Sequence, residues 1–202
     1  ITKFINKSLV SIDNRPVLSH IIDKFPSDTE FVIPLGYKGN LIRQFLSAAY
    51  PDNTFYFVEV SPFEGDGSGL GLTLLSCKNY LQQPFVFIAC DTLVVEDIPP
   101  PYENWMGYAN LSNIESYRTL DISSSKVTRI IEKGFGVSGT NKPYIGLGGI
   151  YDYHKFWYGM QNTIKSDAIE IGEVCGFQNL ISVGINAVNF NWHDIGNLES
   201  LS

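Results

Sequence analysis

Apolar and polar positions follow two alternating periods along the first half of the chain. Short runs rich in apolar residues predict strands at 30–35, 54–60 and 85–90, and the segment 8–12 is predicted to be a strand or the entry to one. Apolar positions three and four residues apart predict amphipathic helices, and they lie at 16–24, 40–50 and 72–81. Strand and helix alternating in this way predict an α/β fold with a mainly parallel sheet.

The strand predicted at 85–90 is apolar at every position, from Phe85 to Cys90. A strand that is apolar on both faces is typical of the middle of a sheet, with helices covering each side. We therefore expect this segment at the centre of the sheet.

Beyond Asp91 the pattern becomes richer in strands. Strands are predicted at 105–109, 116–120, 126–132, 144–151 and 185–192, and helices at 153–164 and 173–183. The glycine- and serine-containing stretch 134–142 predicts a loop. We expect this half to cover the open end of the sheet, so that residues 1–202 form one α/β domain.

Composition narrows the class of protein. Of 202 residues, 44% are apolar and 17% are charged, which is enough for a sizeable core and too little charge for disorder. The longest apolar run, 85–90, is far shorter than the ~20 residues of a membrane-spanning helix. The net charge of −7 argues against the extended basic face that nucleic acid requires. Neither a membrane nor a nucleic acid is expected as a partner.

The number and spacing of the cysteines indicate the redox compartment in which the protein is expected. Cys77, Cys90 and Cys175 are widely spaced and include no C-x-x-C pair, so they predict neither a disulfide framework nor a zinc site. With no signal-peptide pattern, they favour the reducing cytoplasm.

Two aspartates follow apolar strands. Asp91 and Asp194 each come where a strand ends, the edge at which open α/β sheets bind ligands. Two carboxylates close together suit Mg²⁺, which takes one or two of them and completes its shell with water and phosphate oxygens. Either aspartate could instead cap a turn, and the adjacent His193 is more typical of packing or support than of metal ligation.

Alternate glycines occupy positions 65, 67, 69 and 71, between a predicted strand and a predicted helix. They fit neither the Walker A pattern nor G-x-G-x-x-G. Because four such glycines cost conformational entropy for no packing gain, we favour a base or phosphate contact at this helix start over a flexible turn. Lys7 and Lys133 also suit phosphate oxygens, although each alone is typical of a solvated surface residue.

Taken in order, five segments resemble the nucleotidyltransferase superfamily that makes nucleotide-activated sugars. The matching segments are Asn6-Lys7 through Pro16-Val-Leu, Gly67-Ser68-Gly69-Leu70, Phe87-Ile-Ala-Cys-Asp91, Glu132-Lys133 and Trp192-His-Asp194-Ile-Gly-Asn197. The resemblance implies a Rossmann-like three-layer sandwich with a central mixed, mainly parallel sheet.

The resemblance also implies roles for single residues. Lys7 and Asp91 would be catalytic, and Asp91 and Asp194 would hold Mg²⁺. The nucleotide would contact Gly67, Ser68, Gly69 and Asp91. The acceptor would contact Glu132, Lys133 and Gly148. The implied reaction is in-line attack of an acceptor phosphate on the α-phosphorus of a nucleoside triphosphate, which requires positioning and charge neutralisation.

The local sequences in and around these motifs resemble those of a branch associated with bacterial capsule and surface polysaccharides. Some members of that branch are cytidylyltransferases. This implies CTP as the favoured nucleotide, a small phosphate as the acceptor and a homo-oligomer as a possible assembly. Asn6 stands where proline is usual, Gly69 where alanine is usual, and Pro62 near the usual base-reading glutamine, which leaves the base open. The family's glycine-rich loop precedes the Lys7 segment, so residues 1–202 are expected to lack it, either because the sequence is truncated or because the protein has no such loop, and a further C-terminal segment could follow Ser202.

Two other readings stay open. A nucleotide-sugar glycosyltransferase shares part of this topology, but such enzymes typically carry D-x-D where this chain has Cys90-Asp91-Thr92-Leu93. A non-catalytic subunit that binds nucleotide or sugar phosphate is the third reading.

Overall fold

The computed structural model describes residues 4–111, 114–134, 140–162 and 167–194. The helices, in chain order, are α1 (Val17–Ile22), α2 (Gly39–Ala49), α3 (Leu70–Cys77), α4 (Tyr153–Asn162), α5 (Asp167–Ile171) and α6 (Val174–Leu180). The strands are β1 (Ser11–Ile12), β2 (Arg15–Pro16), β3 (Glu30–Leu35), β4 (Thr54–Glu59), β5 (Phe85–Ile88), β6 (Thr92–Val94), β7 (Trp105–Tyr108), β8 (Thr119–Ser123), β9 (Lys126–Ile131), β10 (Lys142–Ile150), β11 (Asn186–Asn189) and β12 (Trp192–Asp194).

The chain groups into two compact units. One contains Ile1–Gln82 and Met160–Glu173, and the other contains Gln83–Gly159 and Val174–Ser202. The assignment of residues 1–202 to a single domain stays a prediction. Within the described residues, no helix is long and apolar enough to cross a membrane.

In the first unit, β3 and β4 pair in parallel and are joined by α2. The apolar stripe of α2 buries Ile42 and Leu46 in a cluster with Leu35 of β3. Aromatic side chains of the two strands pack against the same cluster, with Phe31 stacked on Phe55. The predictions of these two strands and of α1 and α2 are confirmed.

The segment 8–12, predicted to be a strand or the entry to one, is a strand only at Ser11–Ile12. Lys7–Leu9 form a 3₁₀ helix, because the Asn6 side chain accepts a hydrogen bond from the Ser8 amide at 3.1 Å and caps the turn. The strand β1 begins only afterwards and forms a hairpin with β2. Asp13 and Asn14 both take positive φ at its tip, as tight two-residue hairpin turns require.

The second unit holds a six-stranded mixed sheet in the order β5-β10-β7-β11-β9-β8. Because β8 also pairs with β10, five of these strands close into a small barrel-like ring. The mixed sheet confirms the α/β prediction, but the expectation that it is mainly parallel is wrong. In the described chain only β3–β4 and β7–β11 pair in parallel, because the long strand β10 runs antiparallel to β5, β7 and β8.

The predicted central strand at 85–90 is also corrected. The strand β5 ends at Ile88 and pairs only with β10 among the described strands, so it forms the edge of the six-stranded sheet. Its apolar character reflects cover by a helix instead, since Phe85 stacks on Trp157 of α4 with ring centroids 5.7 Å apart.

Candidate active site

Asp91 lies in the turn between β5 and β6, and hydrogen bonds to β10 hold this turn in place. Ala89 donates its amide to the Gly146 carbonyl at 2.8 Å, and Thr92 donates its amide to the Ala89 carbonyl at 3.1 Å. The buried Thr92 hydroxyl donates to the Ile145 carbonyl at 2.5 Å. The half-buried Asp91 is thereby held at one defined place.

Gly146 makes room for that turn. It takes a φ of +71°, and a Cβ at this position would lie 3.0 Å from the Ala89 Cβ. The register of β10 against β7 shifts between Tyr144 and Gly148, around the same point. The sequence signal was the glycine-rich strand predicted at 144–151, but its pattern did not connect Gly146 with Asp91.

Asp194 ends β12, which pairs antiparallel with β6. Neither of these three-residue strands was predicted as a separate element. Their register sets Asp194 opposite Thr92, the residue that follows Asp91. Directly opposed residues in such a pair have Cα atoms about 4.5–5.5 Å apart, so the backbone brings the two aspartate positions together. The Asp194 side chain and residues 195–197 of the motif lie outside the described part of the chain.

The chemistry of this pair of positions fits Mg²⁺, whose usual protein ligands are one or two carboxylates. Among the described residues no group of three or more histidine, cysteine, aspartate or glutamate side chains could hold a metal. His193 is exposed and lies opposite Leu93, one position further from the turn.

The glycine loop belongs to the first unit. Gly65 and Gly67 take φ of +79° and +80°, and Ser68 donates both its amide and its hydroxyl to the Gly65 carbonyl, at 3.1 and 2.6 Å. The helix α3 starts at Leu70, two residues before the predicted start. This compact turn leads straight into a helix amino terminus, which suits an anionic or base ligand.

Gly69 has a packing reason that the sequence did not reveal. A Cβ on Gly69 would lie 2.3 Å from the Ile169 carbonyl oxygen of α5. The premise that these glycines bring no packing gain is therefore wrong at Gly69. The same contact explains why the alanine usual at this motif position would not fit here.

Lys7 begins the capped 3₁₀ helix of the first unit and is exposed. The preceding Asn6 donates its side-chain amide to the Tyr37 carbonyl at 2.7 Å. Asn6, which replaces the usual proline, therefore anchors the segment that carries Lys7.

Glu132 and Lys133 follow β9. Glu132 accepts a hydrogen bond from the Arg118 guanidinium, with Nε 2.8 Å from Oε2, while Lys133 is exposed. Arg118 was not among the predicted site residues. Arg118 is identified by the register of β8 against β9. This register pairs Thr119 with Ile131 and so sets Arg118 opposite Glu132.

Gly148 is buried inside the second unit. A Cβ there would lie 2.5 Å from Cζ of Phe177 and 2.8 Å from the Trp105 carbonyl oxygen. Close packing accounts for this glycine, and its contact with an acceptor stays a prediction.

The candidate residues divide between the two units. Lys7 and residues 67–69 belong to the first; Asp91, Glu132, Lys133, Gly148 and Asp194 belong to the second. Within the second unit, Tyr117 packs edge-on against Trp192 with centroids 5.2 Å apart, next to the Arg118–Glu132 pair. The dipeptide 117–118 therefore contacts residues of both the Glu-Lys and the Trp-His-Asp motifs.

Nearly the whole chain is similar in sequence to known proteins. The bifunctional protein GlmU of Methanococcus maripaludis strain C5 is 25% identical over 204 residues, covering 97% of this chain and 47% of the relative. The chain thus spans about half the length of the curated relatives it matches. No protein-family model matches the chain.

Solved structures share the fold at lower identity. A Bacillus anthracis protein named as a candidate glucose-1-phosphate thymidylyltransferase matches with a TM-score of 0.81 and 18% identity, over 99% of this chain and 85% of that one. The inositol-1-phosphate CTP transferase of T. maritima matches with a TM-score of 0.74 and 12% identity, over 100% and 85%. The resemblance to the nucleotidyltransferase superfamily is confirmed. In this nucleotidyltransferase fold the second unit carries the Asp91 turn and the first carries the glycine loop.

Proposed function

We propose that the protein transfers a nucleoside monophosphate from a nucleoside triphosphate to a phosphorylated sugar or similar small phosphate, releasing pyrophosphate. The observation that carries this proposal is the β6–β12 register, which sets Asp194 opposite the residue after Asp91. Two carboxylate positions at one strand edge suit a reaction that depends on neutralising phosphate charge.

In the proposed mechanism, Asp91 and Asp194 hold Mg²⁺, which when bound offsets the charge that develops on the phosphates. Lys7 contacts the triphosphate, and Gly67, Ser68 and Gly69 contact the nucleotide. The acceptor phosphate oxygen attacks the α-phosphorus in line, the new P–O bond forms, and the bond to pyrophosphate breaks.

On the acceptor side, Lys133 contacts the phosphate and Glu132 accepts a hydrogen bond from the acceptor body. Gly148 would contribute backbone only, consistent with its buried place in β10. The finer parts of the proposal are a Rossmann-like three-layer sandwich, CTP as nucleotide, a role in cell-surface polysaccharide precursors, a cytoplasmic location and a homo-oligomer. The name of the inositol-1-phosphate CTP transferase supports CTP as the nucleotide to test first.

The test is pyrophosphate release by the purified protein with Mg²⁺. Each of CTP, UTP, GTP, ATP and dTTP is combined with glucose 1-phosphate, inositol 1-phosphate or phosphocholine. We expect release with one pair, its loss in EDTA and its loss in Asp91→Asn. The matched control is Asp97→Asn, which neutralises an exposed aspartate shortly after β6 and is expected to retain activity.

Full turnover by Asp91→Asn would contradict the proposal. Transfer of a sugar from a nucleotide sugar, without pyrophosphate release, would favour the glycosyltransferase reading. Nucleotide binding with no turnover on any pair would favour the binding-subunit reading.

A further inference from the structure

The Arg118–Glu132 pair differs from the other cross-strand ion pair of its hairpin. Arg118 has a side chain only 20% exposed, whereas that of Glu132 is 41% exposed. Nearby, Arg129 and Asp121 also pair across β8 and β9, with Nε 3.3 Å from Oδ2, but the Arg129 side chain is 63% exposed. The Arg118 side chain is therefore mostly withdrawn from solvent, while the Glu132 side chain stays partly accessible.

The backbone fixes Arg118 in place. Its carbonyl accepts the Tyr144 amide of β10 at 2.8 Å, and the next residue, Thr119, pairs with Ile131 of β9 and Pro143 of β10. Tyr117, the residue before it, packs on Trp192. Because both neighbours of Arg118 are held, its side chain can fix the orientation of the Glu132 carboxylate rather than follow it.

The pairing also changes what Glu132 can bind. One carboxylate oxygen accepts from Arg118, and in the described chain the other, Oε1, has no hydrogen-bond partner. The charges of Arg118 and Glu132 cancel, and Lys133 adds a positive charge beside them. Such a site still accepts a hydrogen bond from a hydroxyl group, but it offers little attraction to a quaternary ammonium.

We infer that Arg118 is a positioning residue that sets acceptor specificity. By orienting and neutralising Glu132, it makes the site select a phosphate that carries hydroxyl groups, such as a sugar or polyol phosphate, over a phosphate that carries a cationic group. This inference rests on the proposed function, since Glu132 must face the acceptor.

The experiment compares kcat/KM for glucose 1-phosphate, inositol 1-phosphate and phosphocholine, each with the nucleotide that supports turnover. The wild-type protein is expected to prefer a hydroxyl-bearing acceptor over phosphocholine by tenfold or more. Arg118→Met should raise the KM for that acceptor about tenfold, leave the nucleotide KM within twofold, and lower the preference over phosphocholine. Arg118→Lys, which keeps the charge, should retain most of the preference.

Arg129→Met is the matched control, because it removes the neighbouring arginine–carboxylate pair, and it should leave the preference unchanged. Since Arg118 acts through Glu132, Arg118→Met/Glu132→Gln should behave like Glu132→Gln alone. An active wild type that prefers phosphocholine, an Arg118→Met variant with unchanged preference, or additive effects in the double variant would each overturn the inference. If the wild type transfers no nucleotide to any acceptor, the proposed function itself fails.

Discussion

Thr92 shows how one hydroxyl supports the candidate site. It joins the Asp91 turn to β10 through its hydrogen bond to the Ile145 carbonyl, and it faces Asp194 across the β6–β12 pair. Threonine at this point was visible in the sequence, but nothing in the local pattern showed that its partner lay in a strand more than fifty residues away.

Replacing Thr92 with valine keeps the side-chain shape and removes that bond. The buried Ile145 carbonyl then loses its partner, so we expect the free energy of unfolding to fall by about 1–2 kcal/mol. Chemical denaturation measures this change. Thr128→Val is the control, because the Thr128 hydroxyl bonds the Asp121 carbonyl at the exposed surface, and it should cost less than half as much. Equal losses in the two variants would contradict a special role for Thr92.

The three cysteines differ in their burial and therefore in their expected reactivity. Burial raises the pKa of the Cys77 thiol from 9.0 to about 11, whereas Cys90 is exposed. A raised pKa means that the folded protein holds the thiol proton more tightly than the unfolded chain does. The free energy of unfolding is therefore unaffected by this thiol below pH 9, and it falls as the pH rises from 9 towards 11, because the unfolded chain ionises first.

We therefore expect iodoacetamide at pH 8 to modify Cys90 in the folded protein and to leave Cys77 and the buried Cys175 unmodified, as measured by peptide mass spectrometry. In denaturant all three should react, which controls for intrinsic reactivity. Modification of folded Cys77 as fast as Cys90 would show that the thiol is not buried as described.

Among the elements, those with a clear local period were predictable. The helices α1 and α2 and the strands β3 and β4 follow their apolar patterns closely, because each buries one face within a single unit. The edge position of β5 was not predictable. A strand has the same apolar sequence whether its apolar character comes from a central place in the sheet or from packing against an aromatic side chain, here that of Trp157 in α4. The strands β6 and β12 are too short to show any period, so their pairing came only from the structure.

Asn104 holds the turn between β10 and α4 through its side chain and β11 through its backbone carbonyl, and only the side-chain bonds are lost in an alanine variant. Its Oδ1 accepts the Tyr151 and Asp152 amides at 2.9 and 3.0 Å, and its carbonyl accepts the Asn186 amide of β11 at 2.8 Å. Asn104 is only 5% exposed. Asn104→Ala leaves two amides without a partner, so we expect a loss of about 2–4 kcal/mol in the free energy of unfolding.

The control for Asn104 is Asn179→Ala, which removes a single side-chain bond to the Lys155 carbonyl at the surface and should cost less than about 1 kcal/mol. Denaturation curves of both variants decide the point. A loss at Asn104 no larger than that at Asn179 would mean that water or another group satisfies the two amides.

Along the full sequence, the order of the motifs was more informative than any single motif. The aspartates, the glycine loop and the Glu-Lys pair are each common sequences, but their order over 202 residues indicated the superfamily that the comparisons support. The order could not reveal Arg118, because its relation to Glu132 depends on strand register. Nor could it reveal that Gly69 and Gly148 are required by packing.

The proposed function predicts a change in the stability of the whole protein that needs no acceptor. A ligand that binds only the folded state at a hundred times its Kd stabilises it by about 2.7 kcal/mol. For a chain of this size that corresponds to a rise in Tm of roughly 5–10 °C. We expect one nucleoside triphosphate of the five, with Mg²⁺, to produce this rise, and EDTA to abolish it. Thermal unfolding followed by circular dichroism measures it.

Comparing variants assigns that shift to the site. Asp91→Asn should lose the gain in Tm, because the remaining aspartate position cannot offset the phosphate charge alone, whereas Asp97→Asn should keep it. A nucleotide that stabilises Asp91→Asn as much as the wild type, or stabilises the protein equally in EDTA, would bind elsewhere or without the metal. The turn held by Thr92 and Gly146 would then have a structural role only. The residues that bind and select the nucleotide would have to be sought in the glycine loop.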